Sequence, residues 1–511
     1  MIPGKRSVWQ RVWLGAAVCA VGVVGLCAWP YTVDDAYIVG RYADRLARGL
    51  GYTFNPGPPS DGVTGPAWLL PGFLAARLGG DPILAAKIGG LACTLAATAL
   101  ALSRVRRRAQ GGALLATAAA LIAVQPTLGC SGVSGLEAGA AALVVAIASG
   151  GALGPLRPST GLFRGSCLGL CVGLLAWLRP ELLALGAVLL GAFALRADRR
   201  ATWLAFSLAG AGVGSIVAFR AALTGHVLPL AVAAKLGTLE DGASYVIRAL
   251  AILSGGFGLV LVTAGVYFGR TRDDRWLGAA LLAHTAAIAL AGGDWMPGFR
   301  LFAPVLPLYA VLAAVGFVRL ARPGHAQRAL RRAGAWACLI FACALPALDL
   351  ATRIPQLWAA GASRDRVGAQ IAESLRQRAK RVALVDVGYL GYRSGCEVID
   401  LAGITDREIA SLPGGHLNKR ISAEYLAMRR PDALLLHSSS PPMAAEGGRL
   451  IGLRGYPVEQ RLAQSAWVQR EFQLMERFHY APAYYYALLL RRAPAHASAG
   501  TTDGLRTRSA P

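Results

Sequence analysis

Eleven apolar segments of near-membrane length punctuate this chain, and they constrain its fold more than any other feature. The first ends at Pro30, and the others lie at roughly 83–102, 111–126, 135–150, 162–178, 181–196, 201–222, 249–269, 276–292, 301–319 and 333–350. A hydrocarbon core about 30 Å thick takes about 20 apolar residues in a helix. Lipid offers no partner to an open backbone group, so such segments are expected to be helical. With 55% hydrophobic and 16% charged residues in 511, and a mean hydropathy of +0.47, an ordinary soluble enzyme is excluded. The first run, Val12 to Pro30, exceeds a usual signal-peptide core and lacks a convincing cleavage site. It reads as a retained span with Lys5, Arg6 and Arg11 in the cytoplasm.

The formal net charge of +24 has a membrane explanation rather than a nucleic-acid one. Starting from an inside N-terminus, the cytoplasmic loops are RVRRR (104–108), 151–164 with Arg157 and Arg164, RADRR (196–200), RTRDDR (270–275) and RLARPGHAQRALRR (319–332), all basic. The opposite faces carry VDDAYIVG, QPTLGCSGVSGLE, LRPE and GGDWMPGFR, with most of the conspicuous acids. PAWLLPGFLAARLGG (66–80) is too short to span and reads as an outer-surface helix. The nine cysteines form no metal-ligand spacing and no legible disulfide framework.

Composition changes after about residue 352. Val367, Ile371 and Leu375 recur at spacings of four, which predicts an amphipathic helix. RVALVDVG, CEVIDLAG, PDALLLHS and YYYALLLRR then read as short strands. The expected organisation is a membrane domain over 1–351 with its first external loop at 31–82, an external α/β domain over 352–492, and a disordered tail over 493–511.

The stretch VDDAYIVGRYADRLARGLG sits where the first span leaves the membrane. An amphipathic helix is predicted from Ala36 to Leu50, with Ile38, Tyr42, Leu46 and Leu50 on one stripe. Asp34 could cap it and Asp35 could favour the helix dipole. Two adjacent carboxylates near a low-dielectric boundary are nonetheless costly without a partner. They suit a base that takes a proton from a hydroxyl, or a site that holds a cation.

DDAYIVGRYADRLARGLGYTFNPGPPSDGVTGPAWLL resembles the opening of bacterial GT-C-type membrane glycosyltransferases, a family that includes the mycobacterial terminal arabinofuranosyltransferase and flagellar motor control relatives. SGLEAG (134–139), LRPE (178–181), GGDWMPGFRLFAPVLP (292–307) and YLGYRSGCEVIDLAGITDREIA resemble further family elements. The family's PNTxxAK stretch is PLAVAAK here, keeping Lys235 but replacing the Asn and Thr with Leu230 and Ala231.

The resemblance implies an all-helical GT-C membrane domain of about eleven spans in a bacterial inner membrane, with an extracytoplasmic α/β domain. It implies transfer of a sugar, arabinofuranosyl among the options, from a polyprenyl-phosphate donor to an envelope glycan or glycolipid hydroxyl. Asp34 is then the expected general base and Asp35 its neighbour in the site; any divalent metal would sit on this pair. Arg41, Arg179, Lys235, Asp294 and Arg300 are expected around donor phosphate and sugar, and Glu137 and Trp295 around acceptor or sugar. A lipid-sugar flippase and a non-catalytic envelope or flagellar assembly factor are the alternatives.

Overall fold

The computed structural model describes residues 3–106, 111–154, 158–235, 237–269, 271–294, 296–322 and 326–492. The tail expected to be disordered, 493–511, lies outside them. Among the described residues six helices are long and apolar enough to cross a membrane, or eight if each bent pair counts as one span. By that length and composition the chain is a multi-pass membrane protein.

The expected eleven segments differ from these in physically simple ways. Those at 135–150 and 181–196 become helices of 15 and 12 residues, Ala138–Ala152 and Leu183–Ala194. The segment at 111–126 stops before Pro126, where the next helix turns off by 65°. The segment at 249–269 contains a 90° bend between Leu239–Leu253 and Gly258–Phe268. Gly255 and Gly256 make that bend with φ of +60° and +66°, a left-handed region that side chains disfavour. PAWLLPGFLAARLGG, expected as a helix too short to span, forms a short helix, Leu69–Arg77.

Four of the basic loops meet at one end of the bundle. Around the C-terminus of Ala138–Ala152, Arg104 donates to Ser149 Oγ at 2.6 Å, Arg164 to the Gly151 carbonyl at 2.7 Å and Arg196 to the Ala152 carbonyl at 3.1 Å. Arg196 also pairs with Asp273 at 2.9 Å. Cations there satisfy helix-end carbonyls and the dipole together. Glu137 stands at the other end of the same helix, roughly 22 Å away at 1.5 Å per residue.

A long helix, Ala326–Ser363, runs through a five-residue π segment, Arg364–Gly368, into Ala369–Arg378. Val367, Ile371 and Leu375 are buried, as their spacing predicts. The sheet that follows contains β1 (Arg381–Leu384), β2 (Glu397–Asp400) and β3 (Ala433–Ser438), while β4 (Met443–Ala444) and β5 (Leu450–Ile451) form a separate ribbon. β6 (Phe472–Ala481) and β7 (Tyr484–Arg491) complete the five-stranded sheet in the order β2-β1-β3-β7-β6. β1 pairs in parallel with β2 and β3, whereas β7 runs antiparallel to β3 and β6. β3 reads ALLLHS and is buried throughout, as a central strand should be. β6, FQLMERFHYA, is an addition to the predicted strands; its mixed exposure fits an edge.

The other edge, β2, is covered from the membrane domain. Asn55 Nδ2 donates to the Val398 carbonyl at 2.6 Å while its Oδ1 accepts from Val398 N–H at 2.9 Å. The amide thus stands in for a neighbouring strand. Replacing Asn55 with Ala should leave both Val398 groups unpaired and cost about 1–3 kcal/mol, read as a lower thermal midpoint of the purified protein.

Candidate active site

A cavity of about 390 Å³ opens where the ends of several helices approach the C-terminal domain. Two acid–arginine clusters form its polar wall. Buried Arg179 pairs with Glu137 at 2.9 Å and with Glu181 at 2.8 Å. Arg300 Nε meets Asp294 at 2.6 Å, and its Nη2 lies 3.7 Å from Asp35.

The GGDWMPG turn has the shape this second cluster needs. Gly292 and Gly293 hold φ of +84° and +73°. A Cβ on Gly292 would lie 2.6 Å from Gly237, and one on Gly293 2.6 Å from the Tyr245 Cβ. Asp294 then divides its oxygens, accepting from Met296 N–H at 3.2 Å and from Arg300. The turn residue therefore both satisfies the backbone and aims a cation at Asp35.

Asp34 and Asp35 part company within one helical turn. The helix begins at Asp34, runs to Ala47, and has Val33 rather than an aspartate as its N-cap, with no side-chain cap bond. It ends before Leu50, which is exposed; Gly49 and Gly51 follow with positive φ. Asp35 faces the cavity. Asp34 turns to the C-terminal domain, where its carboxylate accepts from Gly388 N–H at 2.9 Å and Tyr389 N–H at 2.8 Å. Burial, then the nearby Asp386, push its pKa from an ordinary 3.8 to about 7, while the two N–H bonds pull the other way.

Arg41, expected at the donor, is likewise a domain contact. It donates to the carbonyls of Phe54 at 2.8 Å, Cys396 at 2.8 Å and Gly391, and its guanidinium covers the Phe54 ring. The paired aspartates do not converge on one ion. Among the described residues no group of three or more His, Cys, Asp or Glu is arranged to hold a metal. Trp295 lies outside the described residues, and so does the side chain of Lys235.

Residues 356–495 match a family described as a domain of unknown function (DUF8728). No curated protein matches the chain. ArnT from Cupriavidus metallidurans bound to undecaprenyl phosphate matches with a TM-score of 0.57 at 11% identity, over 96% of this chain and 98% of that one. The same protein in its apo state gives 0.57 and 11% over 94% and 98%. The chain has the GT-C-type fold.

Sequence reading missed several residues that line or support this cavity. Arg220 pairs with Asp61 at 2.8 Å and donates to the Thr64 carbonyl at 2.7 Å, and Tyr52 OH donates to Asp61 at 2.7 Å. These bonds pin the Gly62–Thr64 stretch that lines the cavity. An arginine inside the apolar run 201–222 was the available signal. Asp241, Ser244 and Arg248 also face the cavity, at spacings of three and four on the Leu239–Leu253 helix. His416 reaches it from the C-terminal domain, and nothing local in the sequence marks it.

Removing one partner of the Asp61–Arg220 pair leaves a buried charge. Arg220→Ala should therefore cost about 3–5 kcal/mol in thermal or denaturant unfolding, and the double change Asp61→Leu with Arg220→Met much less. A second expectation concerns pH. Because the folded state raises the Asp34 pKa, it holds that proton more tightly than the unfolded chain does. The resulting stability is complete below about pH 4 and is lost as pH rises through about 7. Wild type should lose more thermal stability than Asp34→Asn between pH 5 and pH 8.

Proposed function

We propose that the protein is a glycosyltransferase that moves a sugar from a polyprenyl-phosphate donor to an acceptor hydroxyl in this cavity, with Asp35 as general base. The observation that carries the reading is a cavity-facing carboxylate beside a guanidinium, in a fold like that of ArnT bound to undecaprenyl phosphate. Arg300, 3.7 Å away, favours the ionised form of Asp35 that a base requires. The base role passes from Asp34 to Asp35 because Asp34 spends its oxygens on Gly388 and Tyr389.

In the proposed step Asp35 takes the proton from the acceptor hydroxyl. That oxygen bonds to the anomeric carbon as the bond from this carbon to the phosphate oxygen breaks. Polyprenyl phosphate leaves with the electron pair, and inversion follows from attack opposite the leaving group.

The departing phosphate needs a cation that is not already neutralised. Arg179 and Arg300 each sit between two carboxylates. Arg248 lines the same cavity and makes no ion pair among the described residues; its Nε only donates to the Ser244 carbonyl. Beside it on the helix, Ile247 is exposed, as is Leu239. A phosphate at Arg248 would therefore keep its prenyl tail in contact with apolar surface. The resemblance to the terminal arabinofuranosyltransferase family makes an arabinofuranosyl donor the first to try, with an envelope glycan or glycolipid acceptor on the extracytoplasmic side of the inner membrane.

The test is sugar transfer by purified protein from a panel of polyprenyl-phosphate sugars. Asp35→Asn should lower kcat roughly 10²- to 10⁴-fold in a protein that still folds. Arg248→Ala should raise the donor KM, with loss of salt sensitivity in that parameter. Undiminished turnover in Asp35→Asn would remove the base assignment.

A further inference from the structure

We infer that the C-terminal domain positions the base, with Asp34 as the positioning residue that ties Asp35 to it; this rests on the reading of Asp35 given above. The two faces of the Asp34–Ala47 helix carry the argument. Asp34, Tyr37 and Arg41 recur at spacings of three and four, so they share one stripe. All three meet the C-terminal domain. Asp34 accepts from Gly388 and Tyr389, the Tyr37 ring packs edge-on against Tyr389 at 5.0 Å, and Arg41 reaches the Gly391 and Cys396 carbonyls. Asp35 and Val39, four apart, form the adjoining stripe, and both line the cavity.

Rotation of this helix about its axis would exchange one face for the other, so the contacts of the first stripe fix the aim of Asp35. The fit at the helix start is close on both sides. A Cβ on Gly388 would run into the Asp34 carbonyl and carboxylate. Across the helix, a Cβ on Gly135 would lie 2.7 Å from that of Ala36, and Val33 N–H donates to Ser134 at 3.1 Å. The first turn is thus held between a turn of the membrane domain and the Gly388–Tyr389 corner. A reacting group displaced by about 1 Å can lose on the order of 100-fold in rate. On this inference the family of unknown function matched at 356–495 supplies the outer half of an active-site mount.

Hydrogen exchange of the full chain in lipid nanodiscs tests this beside turnover, because the Gly388 and Tyr389 amides are themselves the donors. Asp34→Ala and Gly388→Ala should speed exchange of the 386–392 peptide at least tenfold. They should lower kcat of the folded fraction about 100-fold with donor KM little changed. Asp34→Asn, which keeps one accepting oxygen, should fall between these and wild type. Asp35→Asn should keep wild-type exchange while losing turnover. Wild-type exchange in Asp34→Ala, with Asp35→Asn inactive, overturns the positioning role alone. Complete loss of turnover in Asp34→Ala with exchange unchanged would make Asp34 the base instead. Full activity in Asp35→Asn overturns both the base reading and the inference built on it. A drop in thermal midpoint with kcat of the folded fraction unchanged would reduce Asp34 to a stability role and overturn the inference.

Discussion

Two guanidinium groups, each held between two carboxylates, govern what the cavity can be. Arg179 sits between Glu137 and Glu181, and Arg300 between Asp294 and Asp35. An unpaired charge in so enclosed a place would be expensive, and each arginine pairs with one acid near it in sequence and one from a distant element. The glycine turn before Asp294, the start of the Ala138–Ala152 helix at Glu137 and the first turn of the Asp34–Ala47 helix are brought to the same place by this requirement. Four acids against two cations leave this wall negative. A phosphate would be repelled here, and the wall suits hydroxyl groups. Arg248 lines the same cavity from the Leu239–Leu253 helix, which also brings Asp241 to it.

Much of the architecture was legible in the sequence because hydrophobic length and period are direct physical signals. The basic loops, the amphipathic helix at 367–375 and four of the five strands of the main sheet follow from them. Span number was harder to read. Apolar composition does not reveal where paired glycines or a proline break a run, and the 90° bend at Gly255–Gly256 makes two helices of one segment. In the cavity, Asp35, Glu137, Arg179, Asp294 and Arg300 were identifiable as charged groups at span ends. His416 was not, because it arrives from a loop more than 370 residues beyond Asp35 in the chain.

The distinctive motifs divide by role once they are placed in space. GGDWMPG and SGLE belong to the cavity. DDAYIVGRYA, FNPG and YLGYRSGCEVID mostly belong to each other: Asp34 with Tyr389, Arg41 with Gly391 and Asn55 with Val398. That is why the sequence, read with its family resemblance, favoured Asp34 and Arg41 as site residues. A carboxylate and a guanidinium that bind backbone amides and carbonyls look, in one dimension, the same as a pair that binds a substrate. Only the identity of the partner separates the cases, and the partner lies some 350 residues away.

The uninterrupted helical path from Ala329 to Arg378 bears on how this molecule can be taken apart. Composition invites a cut near residue 352, and the matched family begins at 356, yet both points fall inside the Ala326–Ser363 helix. A soluble fragment begun there would start in mid-helix. It would also expose the β2 edge that Asn55 covers and empty the corner that Asp34 fills. The sheet is thus a module by sequence and a fixture by structure, joined to the apolar helices by a continuous helical stem with no loose chain between them.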